Sequence, residues 1–343
     1  MRPHVVILAG GIGSRFWPAS TPARPKQLLA LGGDRPLISD TLTRASELVG
    51  RDKVRILVGN RLAKLFRQAE PWLTDDHFFL EPKAAGTGPV LTWAAYRLWQ
   101  EDPEATMISL HADHVISPLE EFQASLERAV DTAEKRNALV CVGIHPERPD
   151  TGYGYIRLGD ESAPGVRTAR RFEEKPDRAR ASTYVASGEY VWNSGIFAWR
   201  AADFLAAVRE LTPEISAALP HLERGDPVAF FDQVIPISVD VGVLERADNV
   251  EVVEATFEWD DVGSWGAIGR TKPADSDGNH VVGSASLREA SDNIVWSEDG
   301  RVVLFDVEGL VVVRSGDQTL VTSRGGAERL KELVDQLENE ARH

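Results

Sequence analysis

Across the first 145 residues short apolar runs alternate with longer amphipathic ones, and this alternation limits the fold more than any single motif does. Residues 5–9, 54–58, 77–80, 106–110 and 138–144 read as buried strands. Between them, 36–49, 61–73, 88–100 and 120–135 carry apolar residues at three- and four-residue spacing and read as helices. The pattern predicts an α/β fold, with a Rossmann-like, mostly parallel sheet, helices on both faces and ligands at the carboxyl ends of the strands.

A chain of 343 residues has room for two domains of unequal size. Residues 1–268 form the expected α/β unit. Beyond the turn cluster Asp275-Ser-Asp-Gly-Asn, short β-branched stretches at 293–296, 302–307 and 310–314 predict a small β-rich C-terminal domain over 269–343. A terminal helix is expected over 327–343, with Leu330, Leu333, Val334 and Leu337 on one side.

Lys and Arg number 38 against 53 Asp and Glu, a formal net charge of −15. Such a balance repels a nucleic-acid backbone or an anionic membrane, so neither is an expected partner and any bound phosphate must be held locally. The single cysteine, Cys141, lies in an apolar run and reads as core, and it excludes a disulfide within the chain. The first apolar run is too short for a signal peptide, and no stretch approaches a membrane span. The expected compartment is the cytoplasm.

The first strand gives way to Leu8-Ala9-Gly10-Gly11-Ile12-Gly13-Ser14-Arg15-Phe16-Trp17-Pro18, followed by Pro25-Lys26-Gln27. Gly10, Gly11 and Gly13 lack a Cβ, so their backbone can approach phosphate oxygens and offer N–H groups, with Arg15 and Lys26 supplying full charges. A Walker loop and a dinucleotide loop are both excluded, since Phe16 stands where the third glycine of the latter would be. Taken alone the glycines could be only a turn. The longer string resembles the signature of sugar-phosphate nucleotidyltransferases, in particular mannose-1-phosphate guanylyltransferases.

Six further segments extend the resemblance, in order, to about residue 265. Glu81-Pro-Lys-Ala-Ala-Gly86-Thr87-Gly88 stands where the family's loop meets a nucleobase, although members that use guanine usually have an Arg-Asn-Thr-Ala-Pro-Ala-like segment there. A plain helix cap with Pro89 in the first turn is its bland reading. His111-Ala-Asp113-His114 follows a strand, where a carboxylate can hold Mg²⁺. His111, Asp113 and His114 are not expected to form a zinc cluster, because adjacent residues on an extended chain point to opposite faces. Thr151-Gly-Tyr-Gly154-Tyr resembles the family's hexose loop. Phe172-Glu-Glu174-Lys175-Pro resembles the motif whose carboxylate meets sugar hydroxyls and whose lysine neutralises the sugar phosphate. Asn193 lies in Val-Trp-Asn-Ser-Gly, and Asp261 in Asp-Val-Gly-Ser-Trp. Ser238-Val-Asp240 also has a family counterpart, yet a helix cap explains it as well.

The resemblance implies transfer of GMP from GTP to mannose 1-phosphate, giving GDP-mannose and pyrophosphate, with Mg²⁺ as cofactor. It places Leu8, Ala9, Gly10, Gly11, Gly13, Arg15, Lys26, Gly86, Thr87, Gly88 and Asp113 around the nucleotide. Gly154, Glu174, Lys175 and Asn193 then meet the sugar phosphate, Asp113 and Asp261 hold the metal, and Arg15, Lys26, Asp113, Lys175 and Asp261 carry the chemistry. The β appendage is expected to be a short left-handed β-helix, as in relatives, packed on the catalytic domain or on a second subunit in a homodimer. Two alternatives stay open on the residues: a family member using another nucleotide or sugar, and a catalytically silent relative that binds sugar nucleotide.

Overall fold

The structure, a computed structural model, describes residues 3–11 and 13–340. Its strands are β1 (His4–Leu8), β2 (Val54–Val58), β3 (Phe78–Leu80), β4 (Thr106–His111), β5 (Val115–Ser117), β6 (Leu139–Ile144), β7 (Tyr155–Ala163), β8 (Val166–Glu173), β9 (Tyr190–Arg200), β10 (Val250–Glu254), β11 (Glu258–Asp260), β12 (His280–Ser291), β13 (Ile294–Glu308), β14 (Leu310–Ser315) and β15 (Gln318–Ser323). The crossover helices are α1 (Leu37–Val49), α2 (Asn60–Ala69), α3 (Thr87–Glu101) and α4 (Leu119–Arg136).

Nine strands form one sheet in the order β3-β2-β1-β4-β9-β6-β10-β8-β7. β9 and β8 run against the rest, because β4 and β6 both pair antiparallel with β9 while β10 pairs antiparallel with β8. Alternation along β1 shows how the sheet is buried on both faces: Val5 and Ile7 join the cluster under α1, α2 and α4, while Val6 and Leu8 join the cluster under α3. Successive strand residues point to opposite faces, and here both faces are apolar, so β1 reads as a continuous hydrophobic run. Each fully buried side chain of this kind contributes roughly 1.5–3 kcal/mol.

β5 and β11 form a separate two-stranded antiparallel ribbon, with Val115 opposite Asp260 and Ser117 opposite Glu258. β5 begins just after Asp113 and β11 ends just before Asp261, so one ribbon sets the spacing of both carboxylates.

The C-terminal β unit stacks β12, β13 and β14 in parallel, and β15 returns antiparallel. Two expected strands, 293–296 and 302–307, are one long strand that pairs with β12 along its length. β12 itself carries no clean alternation and escapes a sequence reading. The stacking is tied by asparagines: Asn279 donates to the Ala290 carbonyl at 2.8 Å, and Asn293 donates to Asn279 Oδ1 at 2.9 Å. This unit shares a core with the glycine loop, where Phe16, Leu29 and Leu37 pack with Trp265, Trp296, Val313 and Val334. The terminal helix runs Leu330–Glu340. Leu330 and Val334 are buried, whereas Leu333 and Leu337 are exposed; positions 341–343 of the expected helix lie outside the described residues. Among the described residues no helix is long and apolar enough to cross a membrane.

Candidate active site

The glycine loop leaves the carboxyl end of β1, where the Leu8 carbonyl accepts from the Ala112 N–H at 3.0 Å and so ties the loop to the segment bearing Asp113. Gly13 has φ +76, and a Cβ there would lie 2.3 Å from Lys26 Cβ. A glycine is required on both counts. The loop is also pinned by Gln27, whose side-chain amide donates to the carbonyls of Gly10 and Gly11 at 3.2 and 3.4 Å. Gln27 belongs among the site residues for this reason, and its place beside Lys26 was its only sequence signal.

Lys26 is buried, and its ammonium is held between the two candidate metal residues. It donates to Asp113 Oδ2 at 2.7 Å and to the backbone carbonyl of Asp261 at 2.8 Å. Burial pushes the Asp113 carboxyl up, but Lys26, His114 and His111 outweigh it and hold the group below the ordinary carboxylate value. Asp261 goes the other way: burial raises it, against the hydrogen bond from Tyr153 and the charge of Lys26. Tyr153 donates to Asp261 Oδ1 at 2.7 Å and receives Arg148 Nη2 at 3.2 Å. Arg15, by contrast, is exposed on the loop and makes no ion pair among the described residues.

The chain turns after β4 instead of staying extended, which corrects the geometric ground for excluding a His111–Asp113–His114 cluster. The two imidazoles stack at 4.7 Å, and the nearest ligating atoms of the three residues lie within 4.8 Å of one another. His114 Nδ1 accepts from the Trp259 indole at 3.0 Å, and burial lowers its pKa well below the ordinary value. That hydrogen bond leaves only Nε2 free.

A second group gathers along β7–β9. A Cβ on Gly154 would lie 2.8 Å from Glu174 Oε2, so this glycine admits the carboxylate. Asn193 takes its backbone N–H to the Gly154 carbonyl at 2.8 Å, and its side-chain amide donates to Asp240 Oδ1 at 2.6 Å. Burial raises the Asp240 carboxyl, with Asn193 opposing and Glu174 adding to the rise. Asp240 opens a π-helical turn, Asp240–Leu244, and it is a site residue the sequence pointed to only weakly. Ser238, just ahead of that turn, accepts from the Val241 N–H at 3.3 Å. Lys175 sits at φ +43 with its ammonium 2.5 Å from Glu174 Oε1 and mostly exposed.

Gly86-Thr87-Gly88 opens α3 against the segment leading to Asp240. Cβ atoms on Gly86 and Gly88 would lie 2.6 and 2.9 Å from the Ile237 carbonyl oxygen. The Gly88 N–H donates to that oxygen at 3.1 Å, and Thr87 Oγ1 accepts from the Val239 N–H at 2.9 Å. Close backbone approach thus accounts for both glycines, and the loop that carries them is bonded to the stretch that carries Asp240.

Comparison with known proteins adds to this geometry. A model of the nucleotidyl transferase family matches residues 4–277. The chain is 35% identical to the mannose-1-phosphate guanylyltransferase of Escherichia coli (strain K12), over 99% of this chain and 74% of that one. It is 36% identical to the alginate biosynthesis protein AlgA of Pseudomonas aeruginosa, covering 98% and 72%. A crystal structure from Thermus thermophilus, described as a mannose-1-phosphate geranyltransferase, matches with a TM-score of 0.92 at 33% identity, covering 98% of this chain and all of that one. The chain therefore belongs to the nucleotidyl transferase family, among the mannose-1-phosphate guanylyltransferases.

Proposed function

We propose that this protein transfers GMP from GTP to mannose 1-phosphate, releasing pyrophosphate and forming GDP-mannose. The names of its relatives supply the substrates. The observation that carries the chemistry is Lys26, a buried cation bridging Asp113 and Asp261 at the foot of a glycine loop.

A sugar phosphate is already ionised near neutral pH, carrying roughly −1.5 to −2 charges, so it needs no general base to attack the α-phosphorus. What the reaction does need is the juxtaposition of two anions in line and stabilisation of charge on the leaving pyrophosphate. In this reading the N–H groups of the loop at Gly10, Gly11 and Gly13, with Arg15 and Lys26, bind the triphosphate. Leu8 and Ala9 fix the loop on the sheet, and Gly86, Thr87 and Gly88 border the base. Lys175 neutralises the sugar phosphate, while Gly154, Glu174 and Asn193, joined by Asp240, orient the hexose.

The carboxylates of Asp113 and Asp261 are hard oxygen donors suited to Mg²⁺, and two carboxylates plus substrate phosphates are the usual protein share of such a site. When bound there the ion would neutralise phosphate charge. His111 and His114 are assigned to the wall behind Asp113, since the second gives one nitrogen to Trp259.

Asp113→Asn and Asp261→Asn are the test of these roles. Each is expected to cut pyrophosphate release by at least about 10²-fold; Asp261→Asn should unfold at nearly the wild-type temperature, whereas Asp113→Asn, which takes the carboxylate from the buried Lys26 ammonium, should remain folded but unfold at a lower one. Near-normal turnover in both variants would overturn the metal assignment.

A further inference from the structure

The glycine loop leaves β1, but much of what holds it comes from the far end of the chain. Phe16 is fully buried against Trp265, in a core whose other side is supplied by Trp296, Val313 and Val334 of the C-terminal unit. The Phe16 and Trp265 rings meet edge to face at 5.0 Å, and the Trp265 and Trp296 rings lie 5.4 Å apart. The Trp265 indole also donates to the Trp17 carbonyl at 3.1 Å. Arg15 sits beside Phe16 on one short turn, Ser14–Phe16, and has no ion pair among the described residues. Where its guanidinium can reach therefore depends on how Phe16 is seated.

A second tie runs through Glu298, which stands two residues beyond Trp296 on β13 and has a side chain only 19% exposed. Both of its oxygens are taken up. Arg24 Nη1 lies 2.7 Å from each of them, Trp296 Nε1 donates to Oε1 at 3.2 Å, and Ser315 Oγ donates to Oε2 at 2.6 Å. Arg24 exchanges backbone hydrogen bonds with Thr21 at 2.9 and 3.0 Å, and the Ser20 N–H donates to the Phe16 carbonyl at 2.8 Å. One carboxylate of the β unit thus anchors the tight turn that connects Phe16 to Lys26. Lys26 completes a ring of contacts, because it donates at 2.8 Å to the carbonyl of Asp261, four residues before Trp265.

Close-packed side chains pass a displacement on to their neighbours, and a misplacement of about 1 Å in a reacting geometry can cost about 10²-fold in rate. Arg15 and Lys26 are the cations exposed to such a displacement here. β7, β8 and β9, which carry or adjoin Glu174, Lys175 and Asn193, contribute no residue to this core.

We propose that Trp296 and Glu298 are positioning residues of the nucleotide subsite, through which the C-terminal β unit sets Arg15 and Lys26 towards the triphosphate and leaves the sugar-phosphate side unaffected. This deepens the function proposed above and rests on it for the assignment of the two cations to GTP.

Glu298→Gln, Arg24→Met, the two combined, and Trp296→Phe are compared with wild type. GTP with Mg²⁺ is titrated into each protein by calorimetry in the absence of sugar phosphate, and initial rates of pyrophosphate release are measured with each substrate varied in turn. An ion pair with one partner this exposed contributes little to stability, so Glu298→Gln should melt within about 3 °C of wild type. Its GTP affinity is expected to weaken by at least about fivefold, with the KM for GTP raised alike and the KM for mannose 1-phosphate within about twofold of wild type. Arg24→Met should show the same loss, and the double variant no more than either alone, because the two side chains act as one unit. Trp296→Phe, which keeps a ring but loses the indole donor, should weaken GTP binding in the same selective way.

GTP affinity unchanged in Glu298→Gln or in Trp296→Phe, KM values for both substrates raised together, or losses that multiply in the double variant would overturn the proposal. A wild-type chain that binds GTP but releases no pyrophosphate would overturn the function reading instead, and the calorimetric comparison would still decide the role of the β unit. A wild-type chain that binds no GTP would overturn both.

Discussion

The hydroxyl of Tyr153 donates to Asp261 Oδ1 at 2.7 Å, so the second oxygen of that carboxylate is the one that the proposed metal role would use. The tyrosine is buried, and burial together with the neighbouring Asp261 raises its pKa, so it remains a donor throughout the working range. Tyr153 therefore positions Asp261 without itself needing to touch substrate. Tyr153→Phe is expected to lower turnover by about tenfold and to raise the Mg²⁺ concentration giving half-maximal rate, while costing only about 1 kcal/mol of stability. Metal titration of the rate beside urea unfolding checks both; an unchanged metal dependence would contradict the role.

Lys26 and Asp113 form a part-buried pair at 2.7 Å. Removing one partner leaves the other charge without compensation, so Lys26→Met should cost about 3–5 kcal/mol. Adding Asp113→Asn should restore a large part of that loss without restoring activity. A double-mutant cycle by chemical denaturation measures the coupling; strict additivity would show that the pair does not matter to the fold.

Gly86 and Gly88 face the Ile237 carbonyl at distances no Cβ tolerates. Alanine at either position is expected to destabilise by roughly 1–3 kcal/mol, more at Gly86, where φ is also +86. Because Gly86 and Gly88 are assigned to the border of the base and the displaced segment leads to Asp240, which holds Asn193, the KM values for both the nucleotide and the sugar phosphate should rise. Initial-rate kinetics with each substrate varied in turn measures both; an unchanged KM for the nucleotide would contradict the place given to this loop.

His4 is buried in β1 with Lys53 Nζ 3.1 Å from its Nε2. Burial, then Lys53 and Arg55, lower its pKa to about 4 from an ordinary 6.5. The folded chain thus takes up this proton less readily than the unfolded one. Stability from the neutral ring is complete above about pH 6.5 and is lost as pH falls towards 4. His4→Gln should flatten the acid side of the stability profile across that window by about 1–3 kcal/mol, read as melting temperature against pH.

Much of the α/β unit was legible because its period is local. Buried strands such as Val54–Val58 and the three- and four-residue stripe of α4 appear in the sequence as they appear in the fold. β12 was not legible: its side chains are exposed or half-exposed at all but two positions, and its pairing is set by stacking on β13, including a glycine at 283 whose Cβ would lie 1.8 Å from the Ser297 oxygen. The site divides in the same way. Glycines and charges in short motifs could be read in order, whereas Tyr153, Gln27 and Asp240 owe their place to partners 108, 16 and 47 residues away. Spacing also misled at His111–His114, where a turn after β4 brings together side chains that an extended chain would hold apart.

The most direct measurement is pyrophosphate release by the purified protein with Mg²⁺, each of the four common nucleoside triphosphates and either mannose 1-phosphate or glucose 1-phosphate. The account predicts release that depends on both substrates and is fastest, by at least about tenfold, with GTP and mannose 1-phosphate. Faster release with another pair would contradict the assigned specificity, and no release with any pair would contradict the assignment of this centre to nucleotidyl transfer.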